Sequence, residues 1–125
     1  MPYTLAWEPT GVVKTFTGFV SGAEFVQSAE DVVLDDRFSD ARFIVNDFLA
    51  IEGHEIAAEK IQWVTAIRVG SHSFNAGFRV AILTKDDDIV RIAKMTAPND
   101  LPGIYETRAF ATMQLARAWL NAPSN

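Results

Sequence analysis

The chain reads as a single-domain α/β protein built on a mainly parallel β-sheet, and three observations predict this. Its 125 residues fall within the roughly 100 to 200 that make one domain. With 49% apolar and 22% charged residues, it holds enough apolar surface to bury a core and is neither disordered nor fibrous. After an opening hairpin, β-branched and aromatic runs alternate with stretches of helical apolar spacing, as right-handed crossovers between parallel strands require. The expected order is ββαβαβαβα, with about four helices.

Tyr3, Leu5 and Trp7 alternate with Thr4 and Ala6, the period of a half-buried strand. Glu8-Pro9-Thr10-Gly11 follows, with Pro where a turn wants φ near −65° and Gly at the turn's end. A second strand over 12–19 completes the hairpin. Ser21 and Glu24 have the capping-box spacing, and Phe25, Val26, Ala29, Val32 and Val33 recur behind them at helical intervals.

Residues 42–49 form a run too continuously apolar for a strand wet on one side, so it is expected to be central and covered on both faces. A helix is expected over 55–69, with apolar stripes Ala57-Ile61-Val64 and Ile56-Trp63-Ile67. A loop over 70–77 leads to a buried strand over 78–84. Asp86, Asp87 and Asp88 open a third helix and complement its positive end, while Ile89, Ile92 and Ala93 turn inward. Pro98, Pro102 and Gly103 break the chain before a last strand over 104–110. Thr112 caps a final helix carrying Leu115, Ala116, Trp119 and Leu120.

Charge narrows the partners. Eleven basic against sixteen acidic residues leave −5, the wrong sign for a nucleic-acid backbone or an anionic leaflet. The two halves differ: residues 1–62 carry eleven acids and four bases, residues 63–125 five acids and seven bases, a split that favours oriented contacts with a partner or second subunit. There is no cysteine, hence no disulfide, thiolate metal site or cysteine nucleophile. No apolar run reaches the length of a membrane helix, the first residues do not resemble a secretory signal, and the expectation is a cytoplasmic protein. Neither a Gly-x-Gly-x-x-Gly, a P-loop nor a Gly-x-Ser-x-Gly elbow occurs, so no cofactor is expected.

The step Trp7-Glu8-Pro9-Thr10-Gly11-Val12-Val13, the run 42–48 and the helix Leu115-Ala116-Arg117-Ala118-Trp119-Leu120 together resemble the SpoIIAA-like proteins. These are a bacterial group related to the STAS domains of anti-sigma-factor antagonists and similar in fold to CRAL-TRIO lipid-binding domains. The resemblance implies a domain that works by binding. It also implies a phosphorylatable serine or threonine after the central strand, but no Ser, Thr or Tyr stands between Ser39 and Thr65, so the switch is not carried over to 49–55. Glu52 there either imitates a phosphate or is an ordinary helix-entry carboxylate.

Ligands of open parallel sheets favour the carboxyl ends of the strands, which makes Asp47, Glu52, His54, Thr84 and Asp86 one candidate rim. A hard cation would accept such oxygens, with His54 adding a nitrogen, yet three successive aspartates at a helix start diverge, and no metal is expected. His54 and His72 are the only imidazoles; Ser71 and Ser73 beside His72 make no catalytic pair, since adjacent residues rarely reach the required geometry. Trp63, Ile56 and Ile67 are the candidate interface. Three readings follow in order: a non-catalytic STAS-like interaction domain that binds a protein partner or forms a homo-oligomer such as a dimer; a carrier of a lipid-like or other apolar small molecule, lined by some of nine Phe and three Trp; and an enzyme using Asp47 and His54.

Overall fold

A computed structural model describes residues 3–70, 75, 77–96 and 105–123. Five strands and four helices follow in the order β1 (Tyr3–Glu8), β2 (Gly11–Ser21), α1 (Gly22–Val33), β3 (Phe43–Glu55), α2 (Ala58–Gly70), β4 (Phe78–Leu83), α3 (Asp87–Thr96), β5 (Tyr105–Phe110) and α4 (Met113–Leu120), with a 3-10 turn at Asp36–Asp40. The sheet order is β1-β2-β3-β4-β5. β1 pairs antiparallel with β2, and all later neighbours are parallel.

That order explains the layering. Each crossover from β2 onward advances one strand in the same direction, so right-handed connections put α1, α2 and α3 on one face. There Val12, Phe16, Val20, Ile44, Phe48 and Val80 meet Phe25 and Val32 of α1, Ile61 and Val64 of α2 and Ile89 and Ile92 of α3. Phe16 stacks on Phe48 at 4.7 Å, and Phe25 packs on both at 6.1 and 5.9 Å, so these rings fill the layer between sheet and helices. α4 follows the last strand and covers the other face, where Val13, Val45, Ala81 and Leu83 enclose Ala116.

Local chemistry sets the helix ends. Ser21 Oγ accepts from the Glu24 N–H and Glu24 Oε1 from the Ser21 N–H, both at 3.1 Å, a complete capping box. Thr112 Oγ1 accepts from the Leu115 N–H at 3.2 Å. Each such cap stabilises by about 1 kcal/mol.

Three expectations need correction. β3 does not stop at Leu49 but runs to Glu55, because β2 also continues and the two remain paired through Ser21↔Glu55. Bulges between Thr15 and Thr17 and between Gly18 and Phe19 adjust the register, and Gly18 takes φ +67, a conformation glycine adopts without penalty. The second helix therefore starts at Ala58 and not at residue 55. The central strand is covered on both faces only along its first half: Val45 is fully buried, whereas Leu49 is 43% exposed.

The 3-10 turn was not anticipated. It buries Phe38 edge-on against Phe78 at 5.4 Å, and Asn75 Nδ2 donates to the carbonyls of Phe38 and Ala41. The expected break at Pro98, Pro102 and Gly103 and the group Ser71, His72 and Ser73 lie outside the described residues.

Candidate functional site

Asp47 pairs with Leu83, the last residue of β4, so β3 projects past its neighbour for eight residues. The projecting strand and the turn 84–86 enclose an open depression of about 260 Å³, whose lining includes Glu52, Gly53, Thr84, Lys85 and Asp86. Three of the five expected rim residues, Glu52, Thr84 and Asp86, therefore meet. Asp47 and His54 stand apart from it.

Turn bonds engage most of these groups. Buried Thr84 accepts the Asp86 N–H on Oγ1 at 2.9 Å, and Asp86 accepts the Asp88 N–H on Oδ1 at 2.8 Å, the geometry of an N-cap for α3. Asp47 Oδ1 takes the Leu49 N–H at 2.9 Å, an Asx turn at the point where β3 leaves β4. Glu52 and Lys85, both exposed, make no hydrogen bond among the described residues, so the depression presents one free carboxylate and one free ammonium.

His54 is a strut. Its Nδ1 accepts the Ile56 N–H at 3.2 Å, and its Nε2 lies 3.0 Å from Asp88 Oδ2. An Nδ1 that accepts carries no proton, which leaves Nε2–H to donate to the carboxylate. The Arg91 guanidinium, hydrogen-bonded to the same Asp88, holds that carboxyl below its ordinary range, with His54 adding to the effect. His54 thus ties the end of β3 to the start of α3. Among the described residues no three His, Cys, Asp or Glu side chains converge as a metal site.

Of the expected interface residues, Ile56 parts from the other two. Trp63 on α2 is 59% exposed and borders a groove of about 360 Å³ that Val26, Glu59 and Lys60 also line. Ile67 is half-buried. Ile56 precedes the helix and sits in the core at 7% exposure, because the chain leaves the long β3 toward the helical face.

No family model matches the chain, and no curated protein matches it. A solved structure does: an uncharacterised protein of the DUF3478 family from Shewanella loihica PV-4, described as having a SpoIIAA-like fold. It aligns over 94% of this chain and 91% of its own with TM-score 0.55 and 12% identity. The fold is SpoIIAA-like. At that identity the likeness speaks for architecture alone, and it agrees with the resemblance drawn from residues 7–13, 42–48 and 115–120.

Within this SpoIIAA-like sheet, sequence reasoning missed a buried polar group beneath α1. Lys14, 1% exposed, donates from Nζ to Ser28 Oγ at 3.0 Å, and Ser28 donates onward to the Phe25 carbonyl at 2.7 Å. The Phe25 and Phe16 rings lie 5.4 and 5.8 Å from the ammonium nitrogen. Asn46 pairs with Lys14 across the β2–β3 ladder; it is fully buried, and neither polar atom of its side chain has a hydrogen-bond partner among the described residues. The signal was present: Lys14 lies between Val12 and Phe16, and Asn46 between Ile44 and Phe48, at core-facing positions of alternating strands.

Proposed function

We propose that this SpoIIAA-like domain is a non-catalytic, STAS-like interaction module that docks a protein surface on the outer face of α1 and α2 around Trp63. The observation that carries the reading is the 59% exposure of Trp63 beside a groove lined by Val26, Glu59 and Lys60. Exposed tryptophan beside a groove is the residue type that most often dominates protein interfaces. Charges of both signs at its edge, from Glu59 and Lys60, suit the polar rim of such an interface.

Binding ranks ahead of catalysis because four of the five rim groups serve the fold. Thr84, Asp86 and Asp47 hold turns, and His54 reaches α3 on the helical face while Asp47, two residues on from Val45, lies on the α4 face of the strand. A carrier of apolar ligands ranks lower because Phe16, Phe25 and Phe48 pack on one another.

Sedimentation equilibrium of the full chain tests the self-docking form of this reading, with Trp63→Ala and Trp63→Phe beside the wild type. The expected result is association weakened by Trp63→Ala and partly retained by Trp63→Phe. If wild-type association persists unchanged in Trp63→Ala, the face is not the docking surface.

A further inference from the structure

On the face of the sheet covered by α4, two guanidinium groups flank one indole. Cζ of Arg79 lies 5.3 Å from the Trp119 ring centre, and Cζ of Arg108 lies 5.2 Å from it. Strand register sets this up, since Arg79 pairs with Glu106 and Ala81 with Arg108 across β4 and β5. Arg79, Glu106, Arg108, Trp119 and Pro123 line an open cleft of about 300 Å³.

The two arginines are used differently. Arg79 donates to the carbonyls of Trp119, Ala122 and Pro123, closing the end of α4, where main-chain acceptors lack helical partners. Arg108 has no such duty. Of the arginines whose side chains are described, Arg37, Arg91 and Arg117 bind carboxylates, and Arg42 and Arg79 bind carbonyls. The exposed Arg108 makes no hydrogen bond or ion pair among the described residues, and Trp119 is its ring contact. The ring contact leaves the Arg108 N–H groups without a hydrogen-bond acceptor among the described residues.

We propose that this cleft binds a small monocarboxylate, with Arg108 as the bidentate donor. Two parallel N–H groups match a planar carboxylate. Trp119 and Pro123 in the same lining give apolar contact to the body of an organic carboxylate, which inorganic phosphate lacks. The volume lies at the small end of ligand pockets.

The test titrates the full chain with sodium benzoate, and separately with inorganic phosphate, at constant ionic strength. The readout is the Trp119 indole N–H in proton–nitrogen NMR spectra, assigned with Trp119→Phe. The expected result is a saturable benzoate shift at Trp119. Arg108→Gln weakens it at least about tenfold, the loss of a charge-assisted hydrogen bond, and thermal unfolding stays unchanged. Arg108→Lys, which keeps the charge and loses the fork, also binds more weakly than the wild type. No saturable shift, a shift equal in Arg108→Gln, undiminished binding in Arg108→Lys, or phosphate binding as tight as benzoate would each overturn the proposal.

Discussion

Glu8 and Arg117, 109 residues apart in sequence, form a two-pronged ion pair in which both hydrogen bonds measure 2.7 Å. The pair joins the end of β1 to α4, and the same guanidinium lies 5.4 Å from the centre of the Phe43 ring. One contact thus holds the short final helix against the edge hairpin and the central strand. It also gives α4 a fixed direction across the sheet.

The pair makes acid stability sensitive to one carboxylate. Hydrogen bonding to Arg117 lowers the Glu8 pKa below its ordinary 4.5, against an opposing effect of burial. A lowered folded-state pKa means that the contribution is present above 4.5 and is lost as pH falls through the folded value. Both side chains are about a third exposed, so solvent screening limits the contribution to about 0.5–1 kcal/mol. Glu8→Gln should lower stability by that amount near pH 7, and urea unfolding at pH 7 and pH 3 should show the gap from wild type shrinking in acid.

Gly11 lets this arrangement close. A Cβ at that position would stand 2.5 Å from Phe43 ring atoms, and Arg117 limits where the ring can move. Gly11→Ala is expected to cost about 1–3 kcal/mol, as overpacking does. Denaturant unfolding measures the loss, and Phe43→Leu in the Gly11→Ala background should recover part of it.

Tyr3 provides an alkaline counterpart. Its O–H donates to Asp31 Oδ2 at 2.5 Å, and burial first, then the bond to Asp31, raises the phenol to about 12 from 10.0. A raised pKa means that the neutral phenol is favoured by folding, so this stability is present below pH 10 and is lost as pH rises toward 12. Absorbance titration should find one of the two tyrosines ionising near 12. In Tyr3→Phe that late step and the matching loss of stability should vanish.

Asn46 leads to the opposite kind of outcome. A buried amide without partners forfeits its hydration with no return, so Asn46→Leu should raise stability by about 1–3 kcal/mol. Thermal and denaturant unfolding check this. A fall in stability would mean that the amide of the wild type is satisfied in solution.

Local chemistry was legible in the sequence, and chemistry that depends on distant partners was not. The Ser21–Glu24 box and the Asp86 cap rest on residues a few positions apart, so spacing alone reveals them. The extension of β3 to Glu55 depends on β2 staying paired with it through two bulges, which no window of β3 itself contains. For the same reason Glu52, Thr84 and Asp86 could be grouped from strand order, while the bond from His54 to Asp88 needed the projecting end of β3 to reach α3. Ile56 looked like part of the Trp63 stripe only if the helix began before it. Lys14 and Asn46 were visible as polar exceptions to apolar alternation, but their pairing across the ladder emerges only from the register.

Docking through Trp63 is tested most directly by native mass spectrometry of the full chain taken gently from the cells that make it, wild type beside Trp63→Ala. The expected wild-type species exceeds 13.8 kDa by the mass of a whole protein, either a second copy or another chain, and Trp63→Ala releases it to the free subunit. A free subunit in both samples, or a complex that survives Trp63→Ala intact, would contradict the reading.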